Sequence, residues 1–207
     1  MKKVLLVTDG FFHPPLLARK NLVQALVSLD GFEFKHVRSM EKLPLNLSEF
    51  SAIVIYLHHK KISTKALAAL DAFVSKGGGV LGIHSATASF KEDTSYFEIL
   101  GGRFVGHGKV EAFKVEKLQI EGLKDEIFGN IESFVVKDEL YLHEMQADVD
   151  VHFTAKHEGK DVPAVWTRQY GAGRVCYAVP GHTTATMKNK TYQEVLQRGL
   201  KWVCANE

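Results

Sequence analysis

The sequence contains few cysteines and no long apolar segment. Its 207 residues include two cysteines, Cys176 and Cys204, which do not form a CxxC pair. Their apolar surroundings predict buried structural thiols, as expected in a reducing compartment. No segment approaches the roughly 18 consecutive apolar residues of a membrane-spanning helix. The apolar run after the basic N-terminus is too short for a signal peptide. We therefore expect a cytoplasmic protein without membrane contact.

Neither sign of charge dominates the sequence. It has 26 Lys and Arg against 24 Asp and Glu, which gives a formal net charge of +2. Nucleic-acid-binding domains concentrate basic residues on one face, whereas here they are spread among acidic residues, so no nucleic-acid partner is expected. The length predicts a single domain spanning residues 1–207. A homo-oligomer is expected only because soluble enzymes commonly form symmetric assemblies.

Several well-known functional motifs are also missing. The sequence has no GxGxxG that opens a helix, no Walker A loop, no HExxH and no GxSxG. The stretch "GGRFVGHG" (101–108) follows a predicted helix instead of opening one. It is therefore not a dinucleotide-binding fingerprint.

Short apolar strands alternate with helices in the first half of the chain. Strands are predicted at 4–8, 32–37, 52–57 and 80–83, and helices after Pro14 and over "STKALAALDAFVSKGGG". Continuous apolar runs such as "AIVIYL" are typical of strands buried on both faces. The alternation indicates a mostly parallel sheet that is covered by helices.

The second half contains mainly strand-like segments, which suit an antiparallel extension beside the parallel sheet. These segments are "VEAFKVE", "FVVKDELYL", "VHFTAKHE", "PAVWTRQYG" and "RVCYAVP". Residues 96–108 predict a short helix followed by a glycine-rich loop. The segment "TYQEVLQRGLKWVC" predicts a C-terminal helix with one apolar face.

Candidate functional residues follow strands directly, because ligands of doubly wound sheets bind beyond the carboxyl ends of the parallel strands. The four places are Asp9 to His13, His58-His59, His84-Ser85 and Gly181-His182, with His107 and the acidic pair Asp138-Glu139 as further candidates. Structural interpretations stay open: a solvated loop for the first place and surface positions for the second. Glu139 has the alternative of a carboxylate at a strand edge.

The stretch "GGGVLGIHSAT" (77–87) is the strongest local signal. A glycine triplet and a short apolar strand lead to His84, and small or polar residues follow it. Sharp turns after a strand can present one side chain to a cleft, and the next backbone N–H groups can hold an anion. The alternative is a histidine that caps the following helix.

These segments together resemble the ThuA-like (trehalose utilisation) family, a branch of the class I glutamine amidotransferase-like superfamily. The resemblance covers nearly the whole chain and rests on "GGGVLGIHSAT", "YFEILGGRFVGH", "DELY" and "YGAGRVCYAVPGH". It implies a flavodoxin-like three-layer α/β sandwich with a mostly parallel central sheet. It also implies a sugar or sugar derivative as the small-molecule partner.

The sequence departs from the amidotransferase pattern at the position of the nucleophile, in the turn after the strand. Glutamine amidotransferases place a nucleophilic cysteine at the elbow, as G-x-C-x-G, whereas residues 82–86 read Gly-Ile-His-Ser-Ala. His182 is similar in position to the histidine partner of that cysteine, but the acid expected two residues later is Thr184. Imidazole cannot form and resolve a thioester, so glutaminase activity is not expected.

Two kinds of chemistry stay open for these residues. His84 and His182, with Glu139 assisting, suit acid–base catalysis because an imidazole titrates near neutral pH. Ser85 is a less suitable nucleophile, one residue past the elbow. Alternatively, the histidines bind a divalent metal such as zinc, with His13, His84 and His182 as ligands.

The family resemblance favours an isomerase, lyase or hydrolase that acts on a sugar or keto-sugar. The substrate-binding candidates are Asp9, His13, His58, His107 and Tyr141. The alternative is a non-catalytic sugar- or metal-binding module on the same fold.

Overall fold

A computed structural model describes residues 1–10, 14–118 and 126–205. The strands are β1 (Lys2–Thr8), β2 (Phe32–Val37), β3 (Ala52–Tyr56), β4 (Gly79–Ile83), β5 (Gly102–His107), β6 (Glu111–Lys117), β7 (Phe134–Asp138), β8 (Tyr141–Met145), β9 (Asp150–His157), β10 (Lys160–Tyr170) and β11 (Gly173–Ala178). The α-helices are α1 (Leu16–Val27), α2 (Thr64–Ser75), α3 (Thr94–Leu100), α4 (Thr184–Lys188) and α5 (Lys190–Val203). Short 3-10 turns occupy Met40–Lys42 and His84–Ala88.

A large mixed sheet forms the centre of the molecule, in the order β2-β1-β3-β4-β11-β10-β9-β6-β7. The first five of these strands are parallel, and their order is that of a flavodoxin-like sheet. The strands from β10 onward pair antiparallel. The predicted α/β fold with a parallel sheet and an antiparallel extension is confirmed.

Continuous apolar sequence places β3 and β4 in the middle of the sheet. Every residue of both strands is buried, because helices or turns cover both faces of a parallel sheet. The edge strand β2 contains only half-buried and exposed residues. The carboxyl ends of the central strands therefore lie side by side at one edge of a closely packed apolar core.

The segment 96–108 differs from its predicted form. Its first part is α3, but the expected glycine-rich loop is the strand β5, which pairs antiparallel with β8 in a separate two-stranded sheet. Gly102 packs closely there, since a Cβ would lie 3.1 Å from the Trp166 ring and the ring would have to shift slightly. Gly102 thus packs closely within a strand, whereas a Cβ at Gly106 would meet no atom within 4 Å.

The segment "FVVKDELYL" was expected to be one strand and is two. β7 ends at Asp138 in the large sheet, and β8 begins at Tyr141 in the small one. The Asp138 carboxylate accepts a hydrogen bond from the backbone N–H of Glu139 at 2.8 Å, which fixes the chain where it leaves the sheet. This break places Glu139 between the two sheets.

Both cysteines are free and buried, as predicted. Burial raises the pKa of the Cys176 thiol, and that of the Cys204 thiol, to about 12. Neither thiol is therefore activated as a nucleophile. Among the helices in the described ranges, none is long and apolar enough to cross a membrane.

Candidate functional site

The turn after β4 places His84 in a strained backbone conformation. Its φ of 44° lies in the left-handed region, which costs a residue with a Cβ about 1–3 kcal/mol. The His84 carbonyl accepts hydrogen bonds from the Tyr177 hydroxyl at 2.6 Å and from Thr87 Oγ1 at 3.3 Å. These contacts hold the turn and aim the imidazole into the site.

The imidazole of His84 is fixed by groups on three sides. Nδ1 lies 2.8 Å from the Val179 carbonyl oxygen, which can only accept, so Nδ1 carries the proton. The ring lies against Tyr141, with centroids 3.8 Å apart. A Cβ on Gly181 would lie 2.6 Å from the His84 Cβ, so only glycine fits there. In the neutral ring, Nε2 therefore offers its lone pair to the site.

Glu139 lies between the two histidines that the sequence placed at separate strand ends. Its Oε2 is 3.6 Å from His84 Nε2 and 3.4 Å from His182 Nδ1. The rings of the two histidines have centroids 5.8 Å apart. The Glu139 side chain is only 12% exposed, and that of His84 is fully buried. The structure thus brings three candidates from distant segments into one cluster.

The surroundings of Glu139 favour its ionised form. Burial alone raises the pKa of Glu139, but the closely approaching His84 and the charges of His182 and His107 outweigh it and lower the pKa below its usual value. Burial lowers the pKa of His182, although the Glu139 carboxylate opposes this. At neutral pH the cluster therefore combines a carboxylate with an imidazole that favours its neutral form.

Asp138 positions two members of this cluster through their backbone. Its Oδ1 accepts from the N–H of Glu139 at 2.8 Å and from the N–H of His182 at 2.9 Å. Its Oδ2 accepts from the N–H of Thr183 at 3.1 Å. The Asp138 side chain is fully buried. One carboxylate thus ties the end of β7 to the segment after β11.

Asp138 was a candidate as part of the acidic pair with Glu139, whereas no sequence pattern pointed to His143. His143 Nε2 is hydrogen-bonded to Thr87 Oγ1 at 2.9 Å, and Thr87 Oγ1 to Tyr177 at 2.7 Å. Burial, with the charge of His84, lowers the pKa of His143 to about 3. His143 is therefore a neutral residue that holds the turn after β4 through its hydrogen bond to Thr87.

His107 and Tyr141 lie beside the cluster. His107 Nδ1 is 3.8 Å from Glu139 Oε1, and its side chain is 40% exposed. Tyr141 lies between the rings of His84 and His107, with centroids 3.8 and 5.6 Å away. These two residues form an aromatic wall that reaches from the buried cluster to the surface.

The remaining predicted site residues are not members of the cluster of His84, Glu139 and His182. Asp9 pairs with His59 at 3.3 Å and with Arg19 at 3.5 Å. His58 is exposed after β3. Ser85 is buried, and its Oγ has no hydrogen-bond partner among the residues described, so no histidine there activates it. His13 falls outside the described residues.

Comparison with solved structures supports the fold. A ThuA-like protein from Parabacteroides merdae is 20% identical, with a TM-score of 0.82 over 100% of this chain and 91% of that one. A cytoplasmic protein from Salmonella typhimurium LT2 is 14% identical, with a TM-score of 0.68 over 98% and 99% of the two chains. A β-galactosidase from Bacillus circulans sp. alkalophilus is 11% identical, with a TM-score of 0.63 over 98% of this chain and 30% of the enzyme. No curated protein sequence matches the chain.

The strand order and the turn after β4 define a flavodoxin-like α/β protein that presents a histidine, His84, at the end of a central strand. Within that class, the family model for ThuA, trehalose utilisation, matches residues 3–203. The chain therefore belongs to the ThuA family.

Proposed function

We propose that the protein is an enzyme that acts on a sugar or keto-sugar, with His84, Glu139 and His182 as its reactive groups. The observation that carries the proposal is the approach of two imidazole nitrogens to one carboxylate oxygen, at 3.6 and 3.4 Å, beyond the ends of the central strands. Clusters of buried titratable groups with shifted pKa values are typical of active sites. The family description, trehalose utilisation, supports a sugar as the substrate class.

The cluster suits proton transfer next to a sugar carbonyl. A base takes the proton from the carbon beside the carbonyl, and the electron pair moves onto the carbonyl oxygen to give an enediolate. Ionised Glu139 serves as the base, and the N–H of the neutral His182 imidazole stabilises the oxygen. The lone pair of His84 Nε2 relays the proton of the neighbouring hydroxyl to the former carbonyl oxygen, and return of the first proton to the former carbonyl carbon gives an isomer. His107, whose side chain is 40% exposed, is the part of this aromatic wall that a sugar can reach.

Glutaminase activity forms no part of this proposal. The elbow position holds His84, and the two thiols are buried in β11 and at the end of α5 with raised pKa values. Neither thiol can reach the site without rearrangement of the core. A cytoplasmic location is also proposed, and the likeness to a cytoplasmic protein of Salmonella typhimurium supports it.

The test is turnover of a panel of oxidised and unoxidised disaccharides by the purified protein. Glu139→Gln is expected to lower kcat/KM for the turned-over sugar by about 100-fold or more, since general base catalysis contributes about 10²–10⁴-fold. Glu144→Gln is the matched control, because Glu144 lies on β8 and pairs with Arg103 at the surface.

Two outcomes would contradict the proposal. One is near-normal turnover by Glu139→Gln with the fold intact by circular dichroism. The other is saturable sugar binding without turnover of any compound in the panel, which would make the protein a binding module.

A further inference from the structure

We propose that His84, Glu139 and His182 form a binding site for one divalent cation of the zinc type, with Glu139 as the third ligand. The sequence had suggested His13 instead, which lies outside the described residues. The candidate ligand atoms are His84 Nε2, Glu139 Oε2 and His182 Nδ1, which all lie within 4.8 Å of one another.

The two separations from Glu139 to the histidines fit a tetrahedral ion. Zinc bonds to imidazole nitrogen and carboxylate oxygen are about 2.0–2.2 Å long, so neighbouring ligand atoms around it are about 3.3–3.6 Å apart. Glu139 Oε2 is 3.6 Å from His84 Nε2 and 3.4 Å from His182 Nδ1. A direct bond between an imidazolium and a carboxylate is shorter, about 2.7–2.9 Å. The spacing of these two pairs therefore leaves room for an ion between the groups.

The proton positions and the outer contacts of His84 also suit a metal ligand. Its Nδ1 donates to the Val179 carbonyl at 2.8 Å, which leaves the lone pair of Nε2 directed toward Glu139. Histidines that bind metals usually donate their other ring N–H to a carbonyl or carboxylate in this way. That contact fixes both the tautomer and the ring orientation before any ion arrives.

Asp138 holds the other two ligands in place through their backbone. Its Oδ1 accepts from the N–H of Glu139 and of His182, so two ligands from distant segments are positioned by one buried carboxylate. Two imidazoles and one carboxylate suit zinc and related first-row ions better than magnesium or calcium, which prefer oxygen ligands. Three protein ligands also leave a fourth position for substrate, as in catalytic zinc sites.

The catalytic use of this ion rests on the proposed function, but its binding does not. A bound cation would take the negative charge that develops on the carbonyl oxygen, which is the role given above to the His182 imidazole, and the uncoordinated Oε1 of Glu139 would remain as the base. The proposed substrate class is unchanged.

The test is titration of the chelator-treated full chain with Zn²⁺ by calorimetry, without sugar present. We expect one Zn²⁺ per chain, and a loss of affinity above about 100-fold in Glu139→Gln and in His182→Ala, more than loss of an outer contact usually causes. His157→Ala and Glu144→Gln are the matched controls outside the cluster and should bind as the wild type does. Co²⁺ in place of Zn²⁺ should give the intense visible absorption of a four-coordinate site, and both ligand variants should lose it.

The outcomes separate this proposal from the proposed function. The absence of stoichiometric Zn²⁺ binding, or binding that Glu139→Gln and His182→Ala leave unchanged, would overturn the metal site. Sugar turnover by the metal-free protein in that case would leave the enzyme proposal standing. Zn²⁺ binding that depends on the three ligands, without turnover of any sugar, would support the site and overturn the enzyme proposal.

Discussion

The backbone of His84 is strained, and the strain is offset by contacts that also orient its side chain. A left-handed φ of 44° is costly for a residue with a Cβ. The hydroxyl of Tyr177, buried in β11, donates to the His84 carbonyl at 2.6 Å. The Val179 carbonyl, just beyond β11, accepts from the His84 ring. Since β11 is the parallel neighbour of β4, one strand stabilises both the main chain and the side chain of the elbow.

Tyr177→Phe is therefore expected to affect both stability and the site. Loss of the hydroxyl leaves the buried His84 carbonyl with only the longer contact from Thr87, at a cost of about 1–3 kcal/mol in the free energy of unfolding. We also expect turnover or Zn²⁺ affinity to fall about tenfold, because the imidazole is no longer held in position. Urea unfolding and calorimetry measure the two effects.

Tyr170→Phe is the control for this prediction. The Tyr170 hydroxyl donates to Asp71 on α2, away from the elbow. This variant should lose stability without loss of turnover or Zn²⁺ affinity. If Tyr177→Phe behaved in the same way, Tyr177 would be only a stabilising residue.

The site residues that directly follow strands were predictable from the sequence. The residues that hold them in position were not. "GGGVLGIHSAT" predicts a turn that presents His84, and "RVCYAVPGH" places His182 beyond a neighbouring strand. The hydrogen bond from the His182 N–H to Asp138 joins residues 44 positions apart. Such a contact depends on where β7 lies in space, which local sequence patterns do not encode.

At the scale of single elements, α2 begins with a cap that two segments share. Ser63 Oγ accepts from the N–H of Ala66 at 3.2 Å, as in a typical N-cap. The Glu41 carboxylate, from the first 3-10 turn, accepts from the Ser63 N–H at 2.7 Å and from Ser63 Oγ at 2.6 Å. Hydrogen bonds from the Ser63 side chain and backbone lower the pKa of Glu41.

This cap predicts a pH-dependent stability difference. A lowered pKa in the folded state means that Glu41 contributes stability above the unfolded-state pKa of about 4.3 and loses it as the pH falls through the folded-state pKa. The deficit of Glu41→Gln relative to the wild type should therefore be constant from pH 7 to about 6 and shrink toward pH 3. Urea unfolding across this range measures it, with the exposed Glu132→Gln as the control. An equal deficit at pH 3 and pH 7 would contradict the assignment.

Elements with a uniform pattern were predicted well, and the exceptions have a common cause. β3 and β4 are continuous apolar runs and are buried strands, as expected. "FVVKDELYL" also has a continuous strand pattern, yet the chain changes sheets at Glu139. Both halves have the pairing and burial of strands, so a pattern of period two cannot show the break. The turn there depends on the Asp138 carboxylate, which is a tertiary contact.

At the scale of the whole molecule, the site joins one edge of the large sheet to its centre. β7 is the edge strand of the antiparallel extension, whereas His84 follows β4 in the parallel part. Thr183 Oγ1 nevertheless donates to the Lys137 carbonyl at 2.8 Å. The register of β10 shifts around Pro163 and Val165, and such irregularities bend a strand and increase its twist. The bent extension returns to the parallel strands and carries Glu139 to the histidines.

The packing of α5 on the sheet depends on one glycine within the helix. Gly199 lies inside α5, where glycine is about 1 kcal/mol less favourable than alanine by intrinsic propensity. A Cβ at this position would lie 2.8 Å from the Cys176 Sγ in β11. The helix therefore approaches the sheet more closely than a side chain at this position allows. The buried thiol of Cys176 fills the space that the missing Cβ leaves.

Gly199→Ala should therefore destabilise the protein despite its better helix propensity. We expect a loss of about 1–3 kcal/mol in the free energy of unfolding, as for other overpacked cores. Cys176→Ala removes the Sγ that the new Cβ would meet, so the double variant should be more stable than the sum of the two single effects predicts. Urea unfolding of the four proteins gives this coupling, which we expect to exceed about 0.5 kcal/mol.

Gly108→Ala, where a Cβ meets no atom within 4 Å, is the control. Strictly additive effects would show that α5 can shift to accept a side chain, and that the close approach is not fixed by Cys176.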